Sequence, residues 1–346
     1  MITIRWCALW IFFAAAAQAQ WSVQTSALDT NLRGISAVYS SDMSGVRMPV
    51  LWASGSKGVI LRSIDSGKSW KRIHVQDADA LDFRGIVAFD SNLVYVVSIG
   101  LEGKSRIYKT IDGGETWKSQ YSDKRKEFFL DAIACLSRTH CFALGDPIDG
   151  KFLILVTEDG EHWKELPRDT MPATLPEEGS FAASGSCLVV RGKNIYFATG
   201  GPAARVFHSP DLGRAWTVTE TPVASGNAFS GIFSLDGRSA GTLFAVGGDY
   251  KEPTRSDHVA AYSRDQGSTW QLSAQQPGGF RSAVVAIDEE TILAVGPSGE
   301  DISHDGGVHW ERSGSLNLNA IAILDERNIW AAGPNGTVAR FANQNK

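Results

Sequence analysis

The chain has 346 residues, of which 43% are apolar and 35 are glycine, and a formal net charge of −5. That composition excludes a disordered polymer and favours many short strands joined by tight turns. The mild acidity gives no global attraction to nucleic acid or to anionic membranes, leaving only local basic patches to consider.

Residues 1–19 read as a secretory signal: Arg5, an apolar run over 6–17, and the A-x-A site Ala17-Gln18-Ala19. The run is too short to cross a bilayer comfortably, and no later run is long enough. A secreted or periplasmic domain over 20–346 is therefore expected, with no transmembrane span after cleavage. WSVQT (21–25) is a strand opening on a tryptophan, followed by a strand at LRGISAV (32–38). The next unit shows a recurring order clearly: LDFRGIVAF, LVYVVSIG, SRIYKT, the turn TIDGGETW (110–117), then WKSQY. Cys135 and Cys141 flank LSRTH between two apolar runs. They are placed either to bridge that hairpin in an oxidising compartment or to sit as two buried thiols, with Cys187 left over. No second Cys/His pair has zinc-site spacing, so neither a metal nor a cofactor is expected.

The turn repeats as SIDSGKSW (63–70), VTEDGEHW (156–163), SPDLGRAW (209–216), SRDQGSTW (263–270) and SHDGGVHW (303–310). The rule is Ser/Thr-x-Asp-x-Gly-x-x-Trp, with Asp65, Asp112, Asp211, Asp265 and Asp305 in the Asp place and Glu158 standing there in the third copy. Intervals of 40 to 54 residues between the tryptophans indicate a propeller, each blade having four strands, A to D from the channel outwards. A seventh unit, LNAIAIL, NIWAAG and TVARF, lacks its outer strand. WSVQT supplies one, so an all-β, seven-bladed propeller closed by its N-terminal strand is predicted. In the turn, Gly supplies positive φ, Asp accepts turn N–H groups and Trp packs the outer strand. Six symmetric copies are fasteners rather than active sites.

These turns are Asp-boxes, or BNR repeats, found in sialidases and many other propellers. LRGISAV, LDFRGIVAF and VILRSIDSGKSW make the chain resemble secreted BNR-repeat proteins of the photosystem II stability/assembly factor family. The resemblance implies a seven-bladed fold and a non-catalytic binding or assembly role, here toward an envelope or secreted protein or an acidic glycan. A monomer is expected, and nucleic acid is not an expected partner.

The boxes occupy one face, so a site is expected on the other, built from A-strand entrances and B–C loops. Arg33, Arg84 and Arg281 precede A strands, where other blades place Asp131, Ser180, Ser230 and Asn319. Three arginines ringing a channel mouth suit carboxylate, sulfate or phosphate groups, or else pair locally and close the channel. Lys57 and Arg205 extend that ligand-binding set from the loops. The alternative function is a glycoside hydrolase or polysaccharide lyase on an acidic sugar, as the sialidase likeness implies. Tyr250 is then the candidate nucleophile, and Asp131, Asp146, Glu178 or Asp249 the candidate acid or base. The seven blades depart from the six of sialidases, and Arg-x-Pro at 47–49 lies between strands A and B, the wrong place for a clamp arginine.

Overall fold

A computed structural model describes residues 20–25, 28–41, 45–238 and 241–342. The expected signal segment lies outside them. The described chain is entirely β: seven antiparallel sheets follow one another around a ring. Blade 2 shows the pattern, with A at Asp82–Ala88, B at Val94–Ile99, C at Arg106–Thr110 and D at Lys118–Ser122. Burial follows from position. Strand B is sandwiched between neighbouring blades and is buried on both faces over 94–98, whereas the outer strand is largely exposed. The core is accordingly a series of inter-blade layers. Trp52 and Ile73 of blade 1, for example, pack on Phe83, Val94, Val96 and Tyr108 of blade 2.

The last blade closes as predicted. Its strands Ala320–Asp325, Asn328–Ala332 and Val338–Ala342 take Gln20–Thr25 as the outermost member. Trp21 lies opposite Phe341, with ring centroids 5.1 Å apart. Blade 5 gains a fifth strand, Gly200–Gly201, which crosses from the end of the preceding blade. Cys135 and Cys141 face each other across the blade 3 hairpin and form a disulfide, and Cys187 is free and buried.

The boxes do the work assigned to them. In blade 2, Thr110 Oγ1 donates to Asp112 Oδ1 (2.8 Å) and accepts the Gly114 N–H (3.0 Å). The Asp112 carboxylate then accepts Thr116 N–H and Oγ1–H. These donors hold its pKa at about 2. Gly114 has φ +88°, and a Cβ there would stand 2.8 Å from Ile73 Cγ2. The third box corrects the sequence reading. Thr157 Oγ1 donates to Asp159, and Asp159 accepts the N–H groups of Glu161 and His162. This box is one residue shorter, with Gly160 N–H reaching Thr157 only three residues back, against four in blade 2. Asp159 is therefore the turn carboxylate, while Glu158 points to the surface and pairs with Lys164.

Candidate functional site

Each box Ser or Thr pairs with one residue of its B strand, which gives six blades a common register. The pairs are Leu51–Ser63, Val94–Thr110, Cys141–Thr157, Ile195–Ser209, Leu243–Ser263 and Ile292–Ser303. Three residues further along B lies the partner of the first regular A-strand residue, and the residue before that one is the ring position, which lines the channel mouth on blades 1, 2, 5, 6 and 7. On blades 1, 2 and 3 these residues are Arg33, Arg84 and Asp131. Each is the extra residue of a β-bulge. Blade 5 places Phe233 in the same bulge, not Ser230. Blade 6 places Ser282, because Ala283 pairs with Val295. Blade 7 places Asn319, as expected. On blade 4, Cys187 O accepts the Ala198 N–H and Leu188 pairs with Phe197, which puts Ser186 rather than Ser180 on the ring.

Arg281 is thus one residue out of phase. A slip of one position on a strand turns a side chain to the opposite face. The Arg281 side chain is fully buried and forms an ion pair with Asp301 through Nε and Nη2, with Nη1 donating to Ser298 Oγ. It is a fastener of blade 6. Arg205 also differs from its expected place on an open rim. It pairs with Glu178, whose side chain has no exposure and also accepts from Thr199 Oγ1 and the Leu175 N–H. This pair ties the long insertion before blade 4 to its B–C loop, and it engages Glu178 as an anchor. Lys57 pairs on the exposed rim with Asp29 and does not line the mouth. Asp249 accepts from Asn227 and the Lys251 N–H, also outside the mouth.

The insertion continues across the ring. Ala182 O accepts Arg84 Nη1 at 2.6 Å, Ser184 Oγ donates to Ser282 O, and Phe181 stacks on Phe233 with centroids 3.9 Å apart. A Cβ on Gly185 would stand 3.2 Å from Gly85 Cα. Residues 181–185 therefore touch blades 2, 5 and 6 and plug the channel. Above the plug remains a cup of about 570 Å³. Arg33, Arg84, Asn319 and Ser282 form one part of its lining, and Phe129, Phe181, Phe233, Phe280 and Tyr250 an aromatic part. Asp146 lines it from blade 3. The plug and the aromatic wall were not visible in the sequence. The insertion has no strand periodicity, and Phe233 is hidden in a run that reads as ordinary core.

The charges in the cup are unbalanced locally. Arg84 is satisfied by Asp82, to which Nε and Nη2 donate at 3.0 and 2.8 Å. Arg33 has no carboxylate within ion-pair distance among the described residues. Its Nε and Nη2 lie 3.0 Å from the Asn31 amide, whose oxygen accepts from them in the orientation that satisfies both groups. Burial, then the neighbouring Arg84 charge, lowers the Arg33 pKa to about 10. On the blade 3 side the shifts are reversed. Burial raises Asp146 to about 6, and raises Asp131 well above the usual carboxylate range with help from Asp146. Among the described residues no group of three His, Cys, Asp or Glu side chains could hold a metal ion, and no helix is long and apolar enough to cross a membrane.

No protein-family model matches the sequence, and no curated protein matches it. Solved structures do resemble it. YCF48 from Cyanidioschyzon merolae superposes with a TM-score of 0.66 at 16% identity, covering 94% of this chain and 99% of that one. YCF48 bound to D1 peptide gives 0.66 at 14% identity, over 94% and 97%. An ancestral GH74 enzyme gives 0.63 at 12% identity over 94% of this chain and 46% of its own. At these identities the likeness is one of fold, the seven-bladed propeller.

Proposed function

We propose that the chain is an extracytoplasmic binding or assembly propeller that holds an acidic segment of a protein partner in the cup at its channel mouth. The observation that carries this reading is Arg33. It is a largely buried guanidinium without a carboxylate partner among the described residues, beside a second guanidinium and facing an open cup. Such a charge is costly to desolvate, and a ligand carboxylate offsets that cost with a forked pair of hydrogen bonds. The aromatic wall supplies apolar area for the residue next to the acid. The YCF48 structure holding a D1 peptide supports a peptide ligand for a propeller of this shape. Location outside the cytoplasm rests on the A-x-A signal. The test is calorimetric titration with N-acetyl-norleucyl-glutamate, comparing wild type with Arg33→Gln: binding that drops at least tenfold supports the reading, and unchanged binding refutes it.

A second reading is hydrolysis or lyase cleavage of an acidic glycan. Two observations favour it: Asp146 and Tyr250 share the cup with the arginines, and burial raises the Asp146 carboxyl to about 6, toward the range suited to a general acid. The GH74 likeness is compatible with it. Turnover of uronic- or sialic-acid glycans, lost in Asp146→Asn, would establish it. No turnover on any of them removes it.

A further inference from the structure

Blade 3 gives the cup a feature that binding of an acid does not use. Asp146 lines the cup, and its carboxyl accepts the Ser180 N–H at 3.1 Å. Asp131 occupies the bulge position next after Arg84 in the ring and is fully buried, and neither of its oxygens has a hydrogen-bond partner. Neither carboxyl has a cation within ion-pair distance among the described residues. The other ionisable groups that bear on the pair are Arg84, which is engaged by Asp82, and Cys187. The thiol is pushed up to about 12 by burial and stays neutral. Two neighbouring carboxyls without a cation cannot both ionise cheaply. Arg33 and Arg84 meet the same cup from blades 1 and 2.

We propose that the cup is bipolar: Arg33, with the Arg84 charge beside it, takes a carboxylate, and Asp146, backed by Asp131, takes a primary ammonium of the same ligand. The preferred partner segment then carries a lysine-type ammonium and an acid on adjacent or nearly adjacent residues. This rests on the carboxylate reading of the Arg33 wall and adds a second specificity element to it. The chemistry is a matched exchange. An ammonium brings one charge and three donors to acceptors that otherwise hold protons. On binding, a carboxyl proton leaves for the solvent and the carboxylate so formed pairs with the ammonium. Arg and Asp walls facing one ligand also discriminate, because a purely acidic segment meets the unpaired carboxyls and a purely basic one meets Arg33.

The test is calorimetric titration at pH 5 with two probes, N-acetyl-lysyl-glutamate and N-acetyl-norleucyl-glutamate, which match in shape apart from the ammonium. Each is run in two buffers of different ionisation enthalpy, so that proton release is read directly. Wild type is expected to bind the lysyl probe at least tenfold tighter, with proton release that the norleucyl probe does not show. Asp146→Asn is expected to bring the ratio of the two affinities close to one. Equal affinities in wild type, or a preference unaltered by Asp146→Asn, overturn the ammonium site while leaving the carboxylate reading standing. Norleucyl-probe binding that is indifferent to Arg33→Gln sinks the carboxylate reading instead, and binding of neither probe sinks both.

Discussion

The two ends of the propeller treat carboxylates in opposite ways. On the box face, Asp65, Asp112 and Asp305 lie in turns that give each of them several donors, and their pKa values are held at about 2. At the mouth, Asp131 is buried and Asp146 half-buried, with few donors or none, and their pKa values rise. One face invests its acids in closing turns. The other leaves its acids and one arginine without an opposite charge within ion-pair distance among the described residues. A group left unsatisfied by its own chain is the place where a ligand gains most, so the difference separates scaffold from site.

Variants can break that contrast, and the largest effect is expected where the mouth face contains a scaffold residue. Arg281→Met leaves Asp301 buried and unpaired, and should cost about 3–5 kcal/mol in urea unfolding. Replacing Asp301 by Leu in the same protein should recover most of the loss, and a single variant as stable as wild type would remove Arg281 from the scaffold. Next comes the box face itself. Gly114→Val puts a branched side chain at φ +88° against Ile73, and should cost roughly 2–4 kcal/mol.

Asp131→Asn should act in the other direction. A carboxyl whose folded pKa is raised contributes its stability fully below the unfolded value near 3.8, and loses it as pH rises through the folded value. Removing that charge should therefore stabilise the fold on the order of 1–2 kcal/mol at pH 8 and leave it little changed at pH 3.5. A destabilised Asp131→Asn at pH 8 would mean that the ionised carboxylate is wanted by the fold. Smallest is the acid limb of the boxes. Their depressed pKa values give stability that is present above about 3.8 and lost as pH falls toward about 2. Thermal melts of Asp65→Asn and Asp112→Asn should show a shallower decline across that window than wild type, with an unchanged slope between pH 5 and 8.

The scaffold was more legible than the site, for a physical reason. A fastener is repeated once per blade, so six boxes announce themselves, count the blades and leave only the closing strand to be found at the other terminus. A site is made from what differs between blades. Arg33 and Arg84 could be placed because Gly34 and Gly85 follow them and mark the bulge. Arg281 is followed by Ser282 in RSAVVA, with no glycine to show that the ring position falls one residue later. The third box offers Glu158 and Asp159 side by side in TEDG, and only the hydrogen bonds of Thr157 decide between them. Counting back from the B-strand residue opposite each box Ser or Thr would have placed both Ser282 and Phe233. No such count reaches the plug at 181–185, because an irregular segment is positioned by its tertiary partners alone.

In the proposed function Arg33, set beside Arg84 above the plug, anchors the anion in the cup. The most direct measurement is titration of N-acetyl-norleucyl-glutamate into wild type, Arg33→Gln and the box variant Asp112→Asn under identical conditions, with folding of each checked by its melt. At least a tenfold loss of affinity in Arg33→Gln alone is the predicted result. Equal affinity in all three folded proteins would contradict it.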